Sequence, residues 1–183
     1  MRDSRYSHKT VVDEKAGAYA VDCSGLAVLI LRAAAAEQLA AIPRNGRSRP
    51  RAVEFYTAFS AAPADDKGAG GWRRVVRLMD ARPGDLIAWR NVEQKPGTST
   101  GHIVLVDEPP ALDGKGRVRV AVIDATSSPH GNDTRTDGAT GIGRGTMWFD
   151  VDSDGKAVGC RWKSRNGTLH EVPTAIGRAK DPG

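Results

Sequence analysis

The chain has 183 residues, of which 39% are apolar and 27% are charged, a composition typical of one soluble globular domain. Its longest apolar run, residues 26–31, is too short to span a bilayer, which excludes a helical integral membrane protein. The net charge of +5 favours polyanionic partners, although a solvated basic surface without any such partner gives the same value.

The cysteines and arginines narrow the possible classes further. Cys23 and Cys160 are too few for a disulfide framework and lack the spacing of a zinc site, so we expect no metal. A cluster of four arginines contains no aromatic side chain that would stack on bases, so we expect no nucleic-acid binding. Its members are Arg44, Arg47, Arg49 and Arg51. The first residues are polar and show no segment typical of a secretory signal.

In chain order, the pattern predicts helices first and strands afterwards. Residues 1–15 indicate an irregular arm. An Ala- and Leu-rich helix over residues 24–41 ends before Pro43, and a second helix covers residues 50–61. Six strands are predicted from their alternating pattern, at residues 72–78, 85–89, 102–106, 117–123, 146–151 and 156–162. This order predicts an α+β fold with N-terminal helices packed on a central antiparallel sheet.

The first candidate for chemistry is the tetrapeptide Asp22-Cys23-Ser24-Gly25 at the start of the long predicted helix. A thiol at this position feels the positive end of the helix dipole and lies beside unpaired amides of the first turn. Both effects stabilise a thiolate, and the amides can hold the oxyanion that forms when the thiolate attacks a carbonyl. A small residue buried beneath the helix start explains the same tetrapeptide equally well.

Two further residues gain meaning only together with Cys23. His102 opens an apolar strand directly after a polar loop, where it is available as the base that takes the thiol proton. Asp124 ends a later predicted strand, and antiparallel pairing of the two strands brings its carboxylate beside His102. Each residue alone reads as an ordinary strand-end residue.

In this order the motifs resemble the NlpC-type cysteine peptidases, which are papain-like, and their relatives among the cysteine- and histidine-dependent amidohydrolases. The resemblance covers residues 17–126. The matching stretches are Asp22-Cys23-Ser24-Gly25, Arg82-Pro83-Gly84-Asp85-Leu86, Gly101-His102-Ile103-Val104-Leu105-Val106 and the strand that ends at Asp124. It implies a single papain-like domain over residues 1–183, with a core at about residues 17–126 and a C-terminal β-extension at residues 127–183.

The resemblance also implies residue roles. Cys23 would be the nucleophile, His102 the base and Asp124 the orienting residue, a position often held by His in the family. Asp22 and Ser24 would bind the free amine of a peptidoglycan stem peptide. The family's aromatic-Gly-Gly stretch is missing here, and Tyr6 or Tyr19 is a candidate to replace its aromatic residue. From the chain itself, the polar loop that contains His130 is expected to line the cleft and contact substrate.

The function predicted on this basis is a thiol amidohydrolase that cleaves an amide bond in peptidoglycan stem peptide through an acyl-enzyme, without a cofactor. Such an enzyme works in the periplasm or outside the cell, and we expect a monomer. Two alternatives use the same triad: an acyltransferase, and an interbacterial amidase toxin. A third alternative is a catalytically silent module that binds anionic cell-wall polymer through the arginine cluster.

Overall fold

The computed structural model describes residues 3–65, 71–95, 97–114, 116–136 and 138–180. The helices in these ranges are α1 (Cys23–Ala34), α2 (Ala36–Ala40), α3 (Ala52–Ala61) and a 3-10 helix at Leu78–Asp80. The strands are β1 (Asp3–Tyr6), β2 (Val11–Asp13), β3 (Ala18–Val21), β4 (Trp72–Val75), β5 (Leu86–Arg90), β6 (Gly101–Val106), β7 (Ala111–Leu112), β8 (Val118–Thr126), β9 (Gly141–Val151), β10 (Ala157–Arg161), β11 (Leu169–Glu171) and β12 (Thr174–Ala179).

The large sheet contains nine strands, and all its paired neighbours run antiparallel. Its order is β11-β10-β9-β8-β6-β5-β12-β4, with β7 paired on the side to β8. The last strand, β12, lies between β5 and β4, so residues near the C-terminus complete the part of the sheet on which α3 packs. The C-terminal extension therefore forms part of the main sheet.

Alternating residues of these strands face two different cores, as the pleat of a strand requires. On one face, Ile103 and Ala88 pack beneath α1 and α3 with Phe55 and Phe59. On the other face, their chain neighbours Val104 and Trp89 pack among the side chains of β8, β9 and β10. Burial on both faces makes this sheet the centre of the molecule.

A smaller sheet forms at the N-terminus, in the order β1-β3-β2. β1 pairs with β3 in parallel, and β2 pairs with β3 antiparallel. The prediction of an irregular arm over residues 1–15 is therefore wrong for residues 3–15, and residues 1 and 2 lie outside the described residues. β1 also contacts the large sheet, where the hydroxyl of Ser4 accepts a hydrogen bond from the amide of Ile142 at 3.1 Å. The same strand ends at Tyr6, which lines a small cavity together with Cys23.

The predicted fold class is also wrong. The described residues are 37% strand and 18% helix, with three α-helices and a large nine-stranded antiparallel sheet, so the protein is mostly β rather than an α+β papain-like fold with N-terminal helices. Three strands precede α1. The first helix ends at Ala34 because Ala35 leaves the helical conformation, at φ −156° and ψ 59°. Among the described residues, no helix combines the length and the apolar character needed to cross a membrane.

Candidate active site

Local backbone geometry places the first two candidate residues. Asp22 caps α1: its Oδ1 accepts a hydrogen bond from the amide of Gly25 at 2.7 Å, so the helix starts with Cys23. Gly101 precedes His102 at a φ of 145°, and a Cβ atom there would lie 1.9 Å from the carbonyl oxygen of Trp89. Only glycine fits this position, which sets β6 close against β5 and fixes where His102 emerges.

The structure brings Cys23, His102 and Asp124 together. Nε2 of His102 lies 2.5 Å from Oδ2 of Asp124, and Cys23 lies near enough to His102 to raise the pKa of its imidazole. Because Nε2 is engaged by the carboxylate, Nδ1 is the ring nitrogen left for the thiol. The carboxylate of Asp124 is fully buried and the His102 side chain is only 11% exposed, so water screens this chain of contacts weakly.

The electrostatics of the three groups favour a charged imidazole. Burial alone lowers the pKa of His102, but the negative charge of Cys23 and the hydrogen bond to Asp124 outweigh it and raise that pKa to about 10. Burial likewise raises the pKa of Asp124, yet its hydrogen bonds with His102 and His130 hold it well below the usual range. The site therefore favours an imidazolium at His102 beside the ionised carboxylate of Asp124.

His130 does not line the cleft. Its side chain is fully buried, and its Nε2 lies 2.9 Å from Oδ2 of Asp124, on the same oxygen that His102 contacts. Arg135 contacts the other oxygen: its Nη2 donates to Oδ1 of Asp124 at 2.9 Å. Sequence reasoning missed Arg135. The only available signal was its place in the polar loop after Asp124.

Asp22 and Ser24, which were predicted to bind a substrate amine, have internal partners in this structure. The guanidinium of Arg49 donates to Oδ2 of Asp22 at 2.8 Å and to Oγ of Ser24 at 2.5 Å. Burial raises the pKa of Asp22, but the hydrogen bonds from Arg49 and from the amide of Gly25 outweigh burial. The pKa of Asp22 therefore lies below its usual value. A substrate amine would have to compete with a guanidinium for this carboxylate.

Tyr6 and Tyr19 are separated by the structure. Tyr6 ends β1 and lines a small cavity of about 80 Å³ together with Cys23 and Ser24. Burial, then the negative charges of Cys23 and Asp22, raise the pKa of Tyr6 to about 12. Its phenol therefore stays protonated and able to donate a hydrogen bond. Tyr19 lies in the middle of β3, opposite Val12 and Ser4, and lines none of the cavities beside Cys23 or His102.

A larger cavity of about 700 Å³ is lined by His102 and shares Tyr6, Ser99 and Gly101 with the small cavity. Trp89 and Trp162 flank the imidazole, with ring centroids 5.2 and 4.9 Å from it. The indole nitrogen of Trp162 donates to the carbonyl of Ser128 at 2.9 Å, which fixes its ring. The remaining lining mixes apolar and polar groups; among the described residues it includes Cys160, Val172, Tyr6, Asn91, Ser99, Thr126, Ser127, Ser128, Lys163, Thr168 and His170.

Donor chemistry also allows a metal here, since His102, Asp124 and His130 place their ligand atoms within 4.8 Å of one another. Two imidazoles and a carboxylate suit a transition-metal ion. The guanidinium of Arg135 on Asp124 opposes this, because it already neutralises the only anionic ligand of the set. The residues fit a hydrogen-bonded cluster better than a cation site.

The second cysteine lies against the cavity beside His102, and part of the arginine cluster makes internal contacts. Cys160 is 1% exposed on β10, and burial raises the pKa of its thiol to about 12, which suits a packing role. In the arginine cluster, Arg49 is paired with Asp22, and Arg51 is paired with Glu54 at 2.7 Å. Half of the cluster therefore serves internal contacts, which weakens the case for a polyanion-binding surface.

The chain was also compared with known proteins. No family model matches it, and the searches of curated proteins and of solved structures returned no match.

Proposed function

We propose that the protein is a thiol amidohydrolase that cleaves an amide bond through a covalent acyl-enzyme. The observation that carries this proposal is the buried cluster of Cys23, His102 and Asp124. Cys23 begins α1, His102 interacts with it and bonds to Asp124, and the imidazole of His102 lines an open cavity. A nucleophile, a base and a group that orients the base, each within hydrogen-bond reach of the next, form the arrangement that activates a thiol.

In the first step, the thiolate of Cys23 attacks the carbonyl carbon of the substrate and the carbonyl π electrons move to oxygen. When the tetrahedral intermediate collapses, the C–N bond breaks and the imidazolium of His102 gives its proton to the leaving amine. A water molecule then attacks the thioester while His102 takes its proton. The C–S bond breaks, the carboxylic acid leaves and the thiolate is restored. Asp124 stays ionised throughout and stabilises the imidazolium.

The oxyanion would be held beside the helix start. The amides of Gly25 and Leu26 donate to Asp22, which leaves the amides of Cys23 and Ser24 as the candidate backbone donors of the first turn. The phenol of Tyr6 lines the same small cavity and is kept protonated, which supports it as the second donor. Two donors preorganised at one point are what an oxyanion hole requires.

We assign the substrate as a peptidoglycan stem peptide because the motifs around Cys23 and His102 resemble those of NlpC-type peptidases. The cavity beside His102 supports a peptide substrate, since its lining combines hydroxyl and amide side chains with two tryptophans and Val172. Peptidoglycan lies outside the cytoplasmic membrane, so the proposal places the working enzyme in the periplasm or outside the cell.

Digestion of purified sacculi tests the proposal. The protein should release peptide fragments with new amino termini, identified by mass spectrometry, and Cys23→Ala should release none while remaining folded. The Cys160→Ala variant is the matched control and should digest as the wild type does. Sacculi left intact by the folded wild-type protein, or fragments that also appear with Cys23→Ala, would refute it.

Expression in bacteria tests the location. Cytosolic expression should be harmless, whereas the same chain with a cleavable export signal should cause lysis that Cys23→Ala abolishes. Lysis that persists in the exported Cys23→Ala variant would indicate binding to membrane or wall instead of catalysis. Toxicity confined to the cytosol would contradict a cell-wall substrate.

A further inference from the structure

The carboxylate of Asp124 has more partners than an orienting residue needs. One oxygen receives both His102 and His130, at 2.5 and 2.9 Å, and the other receives Arg135 at 2.9 Å. All four side chains are at most 11% exposed. His130 and Arg135 therefore bind the buried carboxylate of Asp124 in addition to His102.

The contacts of His130 fix its tautomer. An ionised carboxylate only accepts hydrogen bonds, so Nε2 of His130 must carry the proton that points at Asp124. Its Nδ1 is buried without a hydrogen-bond partner among the described residues. A buried N–H without an acceptor is costly, so Nδ1 carries a lone pair and no proton. His130 is thus a one-sided donor aimed at Asp124.

Arg135 is itself held in place from behind. Asp133 accepts hydrogen bonds from Nε and Nη2 of Arg135, at 2.8 and 2.7 Å, and from the amide of His130 at 2.7 Å. Nη1 of Arg135 donates to the carbonyl of Gly141 on β9 at 2.8 Å. One carboxylate, Asp133, thus ties together the two residues that hold Asp124.

We infer that His130 and Arg135 are positioning residues, which keep the carboxylate of Asp124 ionised and turned toward His102. This inference rests on the proposed function, because it concerns the group that orients the base. Neither residue touches substrate in this account. Trp162 lies between the two histidines, with ring centroids 4.9 Å from His102 and 4.4 Å from His130, so the loop that supplies His130 is packed against the site.

Charged and titratable groups reach Asp124 from several elements. They are Tyr6 from β1, Cys23 from α1, His102 from β6, and His130, Asp133 and Arg135 from the loop between β8 and β9. Arg135 is the permanent cation among them. Its removal takes the balancing positive charge away from Asp124, so we expect alkylation of Cys23 to need a higher pH.

The test is the rate at which iodoacetamide alkylates Cys23, measured as a function of pH, because this readout needs no substrate. In Arg135→Met the acidic limb of the rate–pH profile should move to higher pH by less than about one pH unit, the shift of an adjacent charge, because Arg135 binds Asp124 and His102 stands between Asp124 and Cys23. His130→Phe should shift the limb in the same direction by less. His130→Gln keeps a nitrogen donor near the position of Nε2 and should restore the wild-type profile. Arg117→Met, which removes an ion pair with Asp150 at the other end of β8, should leave the profile unchanged.

The outcomes separate this inference from the proposed function. A wild-type Cys23 that reacts no faster than an ordinary thiol would contradict the proposed function. A reactive wild type whose profile is unchanged in folded Arg135→Met and His130→Phe would overturn the positioning role alone. If those variants do not fold, nitrogen NMR of the wild-type imidazoles decides the question. His130 should carry its proton on Nε2 only, and a proton on Nδ1 would overturn the inference.

Discussion

Replacing Asp124 with Asn removes the charge at the centre of the site and keeps the shape of the side chain. An amide presents one oxygen and one NH₂ group, so at least one of the three donors around Asp124 must lose its acceptor. Breaking a buried ion pair costs about 3–5 kcal/mol. Because Arg135 keeps its contact with Asp133, we expect Asp124→Asn to lower the free energy of unfolding by ~3 kcal/mol, the lower end of that range.

The same substitution should slow catalysis more than its effect on folding explains. Without a carboxylate on Nε2, the imidazolium of His102 loses a stabilising charge and its tautomer is no longer fixed. We expect kcat on released stem peptide to fall by about 10³–10⁴-fold, with residual activity still measurable. Urea denaturation gives the stability change, and a peptide-release assay at a temperature where the variant is folded gives the rate.

Asp150→Asn is the matched control for Asp124→Asn. Asp150 also receives two arginines, Arg117 and Arg161, at 3.1 and 2.7 Å, but its side chain is 23% exposed. Asp150 lies seven residues along β9 from Gly143, the residue paired with Asp124, which is a separation of about 23 Å. The control should cost less stability and leave kcat unchanged. Wild-type activity in a folded Asp124→Asn variant would refute the orienting role, and an equal loss in both variants would show that the effect is not specific to the site.

Three further predictions follow from the same geometry. Cys23→Ala should abolish turnover with an unchanged circular dichroism spectrum, while Cys160→Ala should keep turnover and lose about 1–2 kcal/mol of stability in urea, as for other small core truncations. Tyr6→Phe should lower kcat by about 10²-fold with little change in KM if its phenol holds the oxyanion, and an unchanged kcat would remove it from that role. Stability should be greatest at about pH 4 to 6.5. The raised pKa of His102 contributes stability that is complete below the ordinary value of 6.5 and is lost as pH rises through about 10. The lowered pKa of Asp124 contributes stability that is complete above the ordinary value of 3.8 and is lost toward lower pH. A thermal melting series across pH checks this, and a melting temperature unchanged from pH 6 to 10 would contradict it.

The juxtaposition of candidate residues was predictable because each one follows from a local pattern. A capping Asp before an apolar run places Cys23 at a helix start, and the Gly-His step before an apolar stretch places His102 at the start of a strand. The pairing of β6 with β8 then brings Asp124 to His102, as expected from antiparallel neighbours. The catalytic roles of these residues stay predictions until activity is measured.

Residues on the loop after β8 were harder to assign because a loop's path depends on what it packs against. The polar composition of the His130 segment was interpreted as a cleft lining. In the structure, however, His130 and Arg135 contact the buried carboxylate of Asp124, and their side chains are almost entirely inaccessible to solvent. Sequence alone does not show that a polar loop has a buried anion to neutralise.

The prediction of the fold class was wrong because helical patterns give a strong local signal in the sequence, whereas short strands give a weak one. β1 and β2 have three or four residues each and are largely exposed, so their pairing with β3, and not their composition, makes them strands. β12 enters the sheet beside β5, from a segment more than 80 residues away in the chain. Pairing between segments so far apart leaves no periodic pattern in the sequence from which it could be predicted.

The most direct test of the central claim is site-resolved alkylation of the wild-type protein at pH 6. A free thiol with a pKa of about 8.5 is almost entirely protonated at this pH and reacts slowly. If the neighbouring imidazolium of His102 stabilises a thiolate, limiting iodoacetamide should modify Cys23 more than about ten times faster than glutathione, with Cys160 untouched in peptide mass spectra. Modification of Cys23 no faster than glutathione, or of Cys160 first, would contradict the claim that Cys23 is the nucleophile.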